Sequence, residues 1–285
     1  MNDTLKVDFV VYPEHGRPFT ADATYITDGK PKPIVIYTHG FKGFKDWGHF
    51  NLLAQYFGER GFVFVKFNFS YNGTTVEDFS DVHDLEAFGR NNFCLELDDL
   101  QALIDLLHDQ TGPLPQKELD LSRLYLIGHS RGGGSVLLKA AEEKRVKAVA
   151  TWAAVSDFDQ RWTAEQMDQW KQEGVQWIAN ARTGQQMPLY YQIAENYYEN
   201  LHRLEIPHVI KKVRQPLLIL HGEEDETLPT QMAHDLKAWK PDAELHLLPE
   251  ADHSFGGKHP YEKEELPKAA RTAADLTMDF FRRHA

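Results

Sequence analysis

Short, continuous apolar runs alternate with longer stretches of helical period along most of the chain, and this alternation constrains the fold more than any other feature. PIVIYTHG, FVFVKFNFS, RLYLIG, VKAVATWAAVS and QPLLILHG carry apolar residues on consecutive positions, as strands buried on both faces do. Between them, DWGHFNLLAQYFGERG puts Phe50, Leu53, Ala54 and Phe57 on one helical face, with Gly61 placed to end it. NNFCLELDDLQALIDLLHDQTG does the same with Phe93, Leu97, Leu100, Ile104 and Leu107, and Gly112-Pro113 stops it. SVLLKAAEEK, PTQMAHDLKAWK and the C-terminal segment read as further helices, AELHLLP as a further strand, and KVDFVVY and ATYIT as antiparallel edge strands. Strands separated by helices predict an α/β domain: a mostly parallel sheet with helices on both faces.

Residues 157–213 break the alternation, because they are too long for one crossover helix. Trp162, Trp170, Trp177, Tyr190, Tyr191, Tyr197 and Tyr198 all fall there, and Tyr190, Ala194, Tyr197 and Leu201 are spaced as a helix face. The spacing predicts a helical insertion over one end of the sheet. Most of its aromatics form its own core, and a few line a pocket.

In LYLIGHSRGGG an apolar strand gives way to Gly128-His129-Ser130-Arg131-Gly132, just before a helix. This is G-x-S-x-G in the strand–turn–helix setting of a nucleophile elbow, where small residues on both sides relieve crowding and the hydroxyl stands at a helix N-terminus. The glycines match neither G-x-G-x-x-G nor a phosphate-binding loop ending in Lys. A serine hydroxyl is a poor nucleophile until an imidazole takes its proton, and that imidazole needs an orienting carboxylate. On such an elbow the partners follow in the order Ser, acid, His. Asp225 lies in LLILHGEEDETLP, three residues after Gly222, and His253 lies in LHLLPEADHSFGG, each just past a buried strand. Glu223, Glu224 and Glu226 flank Asp225 and leave the choice of acid open; Asp225 is preferred for its spacing from Gly222 and from Pro229. Of the 14 histidines, His129 and His221 read as scaffold. An oxyanion needs two donors. The backbone N–H of Arg131 supplies one, and the loop HGFKG after the first long buried strand supplies the other, assigned to the N–H of Phe41. Lys42 and Lys45 in that loop are weak candidates for contact with an anionic substrate.

Composition narrows the partners. With 31 Lys and Arg against 43 Asp and Glu the net charge is −12, which disfavours nucleic acid and anionic membrane. The carboxylate cluster does not fit a calcium loop and no HExxH spacing occurs, so neither metal nor cofactor is expected. The single cysteine, Cys94, sits in a helical pattern as a small core residue and excludes an intrachain disulfide. No basic segment leads into an apolar one at the start, and no run approaches the ~18 apolar residues of a membrane span. A cytoplasmic setting is expected.

HGFKG, GHSRGG, HGEEDETLP and ADHSFGG, in this order, resemble the α/β-hydrolase superfamily. The likeness is greatest to serine esterases related to dienelactone hydrolases and cinnamoyl esterases; Ser130 stands where dienelactone hydrolases proper carry Cys. The resemblance implies an eight-stranded sheet built from residues 1–156 and 214–285, with 157–213 as a cap between the sixth and seventh strands. It implies a metal-free hydrolase acting on small-molecule esters through Ser130, His253 and Asp225 and an acyl-enzyme. Two alternatives stand beside it: an amidase or peptidase with the same residues, weakened by the want of a propeller-like repeat, and a non-catalytic binding protein, weakened because all three residues are kept.

Overall fold

The computed structural model describes residues 4–159, 162–180 and 183–285. Its strands are β1 (Thr4–Val11), β2 (Phe19–Ile26), β3 (Lys32–Thr38), β4 (Val63–Phe67), β5 (Leu119–His129), β6 (Val146–Trp152), β7 (Val175–Ala179), β8 (Gln186–Tyr190), β9 (Leu217–Gly222) and β10 (Glu244–Leu248). Eight form one sheet in the order β1-β2-β4-β3-β5-β6-β9-β10. The six from β4 to β10 run parallel, and β2 is antiparallel to both β1 and β4. This is the α/β-hydrolase architecture, and ATYIT lies one strand in from the edge.

The α-helices are α1 (Phe50–Gly58), α2 (Leu85–Arg90), α3 (Phe93–His108), α4 (Arg131–Glu142), α5 (Ala164–Glu173), α6 (Gln192–Glu199), α7 (Leu201–Leu204), α8 (Ile206–Val209), α9 (Gln231–Trp239) and α10 (Lys268–Arg283). Because the central strands are apolar on both faces, each face needs its own cover. One core joins Ile34, Val65, Leu126 and Val149 to Leu97, Leu100 and Ile104 of α3, Val136 and Leu137 of α4, and Ala233 and Leu236 of α9. The other joins Val35, Tyr37, Ile127 and Ala150 to Leu53 and Phe57 of α1 and Ala273, Met278 and Phe281 of α10. Each large side chain fully buried this way contributes about 1.5–3 kcal/mol. Cys94 is partly buried against the first core.

Residues 157–213 hold α5 to α8, as a helical insertion would, but also an antiparallel ribbon in which Val175 pairs with Tyr190 and Trp177 with Pro188. The helix face from Tyr190 to Leu201 is therefore shorter than its spacing suggests. Tyr190 belongs to β8, α6 starts at Gln192, and Leu201 opens a separate short helix with 36% of its surface exposed. A three-to-four spacing cannot by itself say where a helix starts. Trp170 is buried and donates its Nε1–H to Leu189 O at 2.8 Å.

A buried ionic network ties the sheet to the loop after β3. Asp22 Oδ2 on β2 lies 2.7 Å from both Lys45 Nζ and Lys66 Nζ, and Asp46 bridges the same two lysines. Lys45, one of the two loop lysines considered for substrate contact, is committed here. Its backbone N–H also donates to Asn68 Oδ1 at 2.7 Å.

Candidate active site

In parallel strands the carboxyl ends share one edge. The register pairs Thr38 with Gly128, Gly128 with Thr151, and Gly222 with Leu248, so the loops after β3, β5, β6, β9 and β10 emerge side by side. β4 lies on one side of β3 and β5 on the other, and the crevice at such a reversal is where open α/β sheets bind ligands.

Ser130 sits in that crevice between β5 and α4. Its backbone adopts φ 55°, ψ −123°, which a residue with a side chain holds only when its surroundings enforce it. They do: the Ser130 N–H donates to Trp152 O at 2.9 Å, and its carbonyl accepts from Gly133 N at 2.9 Å and Val155 N at 3.2 Å. Gly132 is required by close approach, since a Cβ there would stand 2.4 Å from His39 O and 2.5 Å from Thr38 O. Serine is a favoured N-cap residue, yet Ser130 makes no capping bond to α4. Its Oγ lies 3.1 Å from His253 Nε2 instead.

His253 Nδ1 lies 2.8 Å from Asp225 Oδ2. A carboxylate only accepts, so Nδ1 carries the proton and Nε2 is left to accept from the Ser130 hydroxyl. Among the four neighbouring carboxylates burial separates Asp225 from the rest: its side chain is fully buried, whereas Glu223, Glu224 and Glu226 are exposed. Asp225 Oδ1 takes the Thr227 and Leu228 amides at 2.8 Å each, and Oδ2 also receives His221 Nε2 at 3.2 Å. Burial opposes its charge, but the hydrogen bonds from His221, His253 and the Leu228 amide prevail and hold the carboxyl well below the usual carboxylate range.

Two histidines read as scaffold thus touch this chain of groups directly. His221 shares Asp225, and its Nε2 also bonds Leu228 O at 3.0 Å. His129 donates Nε2–H to the main-chain oxygen of His253 at 2.8 Å, and burial pushes its pKa down to about 3, so the ring stays neutral. The four-residue step from His221 to Asp225 around a turn is the one sequence signal of the first contact. No local signal announces the second, because 124 positions separate the partners.

The loop after β3 closes against the elbow. A Cβ on Gly40 would lie 2.9 Å from Ser130 Cβ, so the following residue, Phe41, sits beside the serine. Among the described residues neither the Phe41 nor the Arg131 amide N–H has an acceptor. His39 braces the loop by donating Nδ1–H to Gly40 O at 2.9 Å, and burial lowers its pKa to about 4. The Arg131 side chain lies over the rings of Phe93 and Phe41, with centroids at 4.5 and 5.4 Å, and its Nη2 is 2.8 Å from Glu96 Oε1.

Ser130 and Phe41 stand at the junction of two cavities. A wide cleft of about 590 Å³ includes Lys42, Trp47, His253, Lys258 and His259. A smaller pocket of about 130 Å³ is walled by Phe93, Arg131, Phe158, Trp162 and Leu189. Of the aromatics in 157–213 noted from sequence, Trp162 lines that pocket, while Trp170 and Tyr197 are buried in the core and Trp177 is 61% exposed. Among the described residues no three His, Cys, Asp or Glu side chains group to hold a metal ion, and no helix is long and apolar enough to cross a membrane.

A sheet of this topology with a serine at the elbow defines a serine α/β hydrolase. More narrowly, the chain belongs to the prolyl oligopeptidase family (Peptidase_S9), whose model matches residues 48–271. It is 30% identical over 137 residues to an uncharacterized 31.7 kDa protein of the traX-finO intergenic region of Escherichia coli, a match covering 47% of this chain and 41% of that one. In structure it is similar to the esterase domain of a Rhodothermus marinus protein, with TM-score 0.66, 20% identity and coverage of 98% of this chain and 99% of that one. It is also similar to dienelactone hydrolase from Anabaena variabilis, with TM-score 0.65, 17% identity and 99% of both chains covered.

Proposed function

We propose that the protein hydrolyses carboxylic esters of small molecules through a Ser130–His253–Asp225 triad. The observation that carries this reading is the continuous line from Asp225 Oδ2 to His253 Nδ1 at 2.8 Å and from His253 Nε2 to Ser130 Oγ at 3.1 Å. As His253 Nε2 takes its proton, Ser130 Oγ bonds to the ester carbon. Asp225 stabilises the imidazolium, and the amides of Phe41 and Arg131 receive the oxyanion. The carbon–oxygen bond to the alcohol then breaks, and the alcohol leaves with the proton from His253. Water attacks the acyl-enzyme by the same route, its proton passing through His253 to Ser130, and the acid is released. In this reading residues 157–213 act as a cap over the core formed by 1–156 and 214–285. The setting is cytoplasmic, supported by a lone cysteine that forms no intrachain disulfide.

Cleavage of amides or peptides by the same three residues is the second reading, favoured by membership of the prolyl oligopeptidase family. Turnover of p-nitrophenyl esters and aminoacyl anilides, measured beside Ser130→Ala, tests both. The first reading expects ester turnover that falls by several orders of magnitude in a folded Ser130→Ala protein. Undiminished turnover in that variant rejects the mechanism, and faster anilide cleavage replaces the first reading with the second.

A further inference from the structure

The two cavities meeting at Ser130 differ in chemistry, and the place of His253 says which part of an ester enters each. This inference rests on the ester reading above and names its substrate class. The imidazole that takes the serine proton must return it to the departing alcohol, so the alcohol lies on the side His253 lines. His253 lines the wide cleft and is not among the residues of the small pocket. The acyl group then turns the other way, into the small pocket beside Arg131.

Volume limits the acyl group. At about 130 Å³, and walled mainly by Phe93, Phe158, Trp162, Leu189 and Ile193, the pocket is close in size to an apolar cavity that takes one benzene ring. Charge argues against an acid there. Arg131 is already paired with Glu96 at 2.8 Å, and Asp157 also lines the pocket, so a carboxylate on the acyl group would add to an excess of negative charge.

The cleft is the reverse. None of the described residues lining it is Asp or Glu, whereas Lys42 and Lys258 both line it, in a protein of net charge −12. Lys42 Nζ reaches across to Ala179 O at 3.4 Å, which keeps the ammonium over the cleft. Trp47, stacked on His259 with centroids 6.2 Å apart, supplies an aromatic wall. Low-dielectric walls lined by one sign of charge concentrate ligands of the opposite sign.

We infer that the preferred substrates are esters of a compact, uncharged acid, up to benzoyl in size, with a larger alcohol that bears an anionic group. The probes are acetyl, butyryl, benzoyl and decanoyl esters of 4-hydroxybenzoate, of its neutral analogue 4-hydroxybenzamide, and of 4-hydroxyphenyl phosphate, assayed with the full chain. The carboxylate and phosphate arms separate the two sources of negative charge. Expected are a sharp fall in kcat/KM from benzoyl to decanoyl and an advantage of about tenfold for an anionic over the neutral leaving group, as two partly exposed ion pairs provide. That ratio should drop toward one at high salt and in Lys42→Ala/Lys258→Ala. An equal or higher kcat/KM for the neutral ester, a ratio unchanged in the double variant, or rapid decanoyl cleavage overturns the inference while leaving an ester hydrolase. No turnover of any of these esters by folded protein removes the ester reading itself, and this inference with it.

Discussion

His221 Nε2 lies 3.2 Å from Asp225 Oδ2, the same oxygen that faces His253 Nδ1 at 2.8 Å. Asp225 is therefore held by two imidazoles on one oxygen and two amides on the other, and every acceptor position of a fully buried carboxylate is used. In the proposed mechanism His221 acts only through Asp225, as a positioning residue. His221→Leu should lower kcat about tenfold with little change in KM, the cost of one charge-assisted hydrogen bond. The loss should grow as pH falls, because a less well held carboxylate protonates sooner. His221→Gln, which keeps an N–H donor, should recover most of it. Unchanged kcat in His221→Leu would remove the role.

The four carboxylates of the β9 loop should separate cleanly by steady-state kinetics. Asp225→Asn should lower kcat by roughly 10⁴-fold, as loss of the acid does in serine proteases, because the His253 tautomer is no longer enforced. Glu223→Gln, Glu224→Gln and Glu226→Gln, all exposed, should stay within about twofold. A large loss in any glutamate variant with Asp225→Asn still active would move the acid elsewhere.

The buried ionic network should matter to stability more than its surface would suggest. In Asp22→Asn the Lys45 and Lys66 ammonium groups, both essentially unexposed, are left with Asp46, and Lys45 with a longer contact of 3.8 Å to the exposed Asp8. Leaving a buried charge uncompensated costs about 3–5 kcal/mol. Urea unfolding should show that loss at unchanged m-value. A change under 1 kcal/mol would mean the lysines reach water when Asp22 is neutralised.

Acid should unfold the protein through three histidines kept neutral by burial: His39 and His49, both lowered to about 4, and His129, lowered to about 3. The unfolded chain takes up these protons near pH 6.5 and the folded one does not. Stability is therefore full above that pH and falls as pH drops through 6.5 toward 4, by up to roughly 1.4 kcal/mol per pH unit for each ring. Urea midpoints at pH 7, 6 and 5 should decline with increasing slope. Midpoints that rise on acidification would show instead that proton uptake by Asp99 and His15, whose pKa values are both raised in the fold, outweighs these rings.

Much of this was legible in the linear chain. The strand run ending at Gly128 and the helical period after it placed Ser130 on an elbow, and Asp225 and His253 each followed a buried strand. What was not legible depends on burial or distance. Asp225 and its three glutamate neighbours look alike as letters, and only the fold puts one side chain inside. The β7–β8 ribbon hides because Tyr190, Ala194 and Tyr197 satisfy a helical spacing wherever the helix begins.

The order of residues alone determined the α/β architecture and the strands that end near one another, since hydrophobic period and glycine placement act through neighbours a few positions apart. The division of the site into a tight apolar pocket and a broad basic cleft was decided only in three dimensions. It arises because Phe41, Phe93, Arg131 and the pair His253 and Lys258 come from four separate segments. Which of them shares a cavity with which is set by packing across the sheet edge, and no local pattern encodes that.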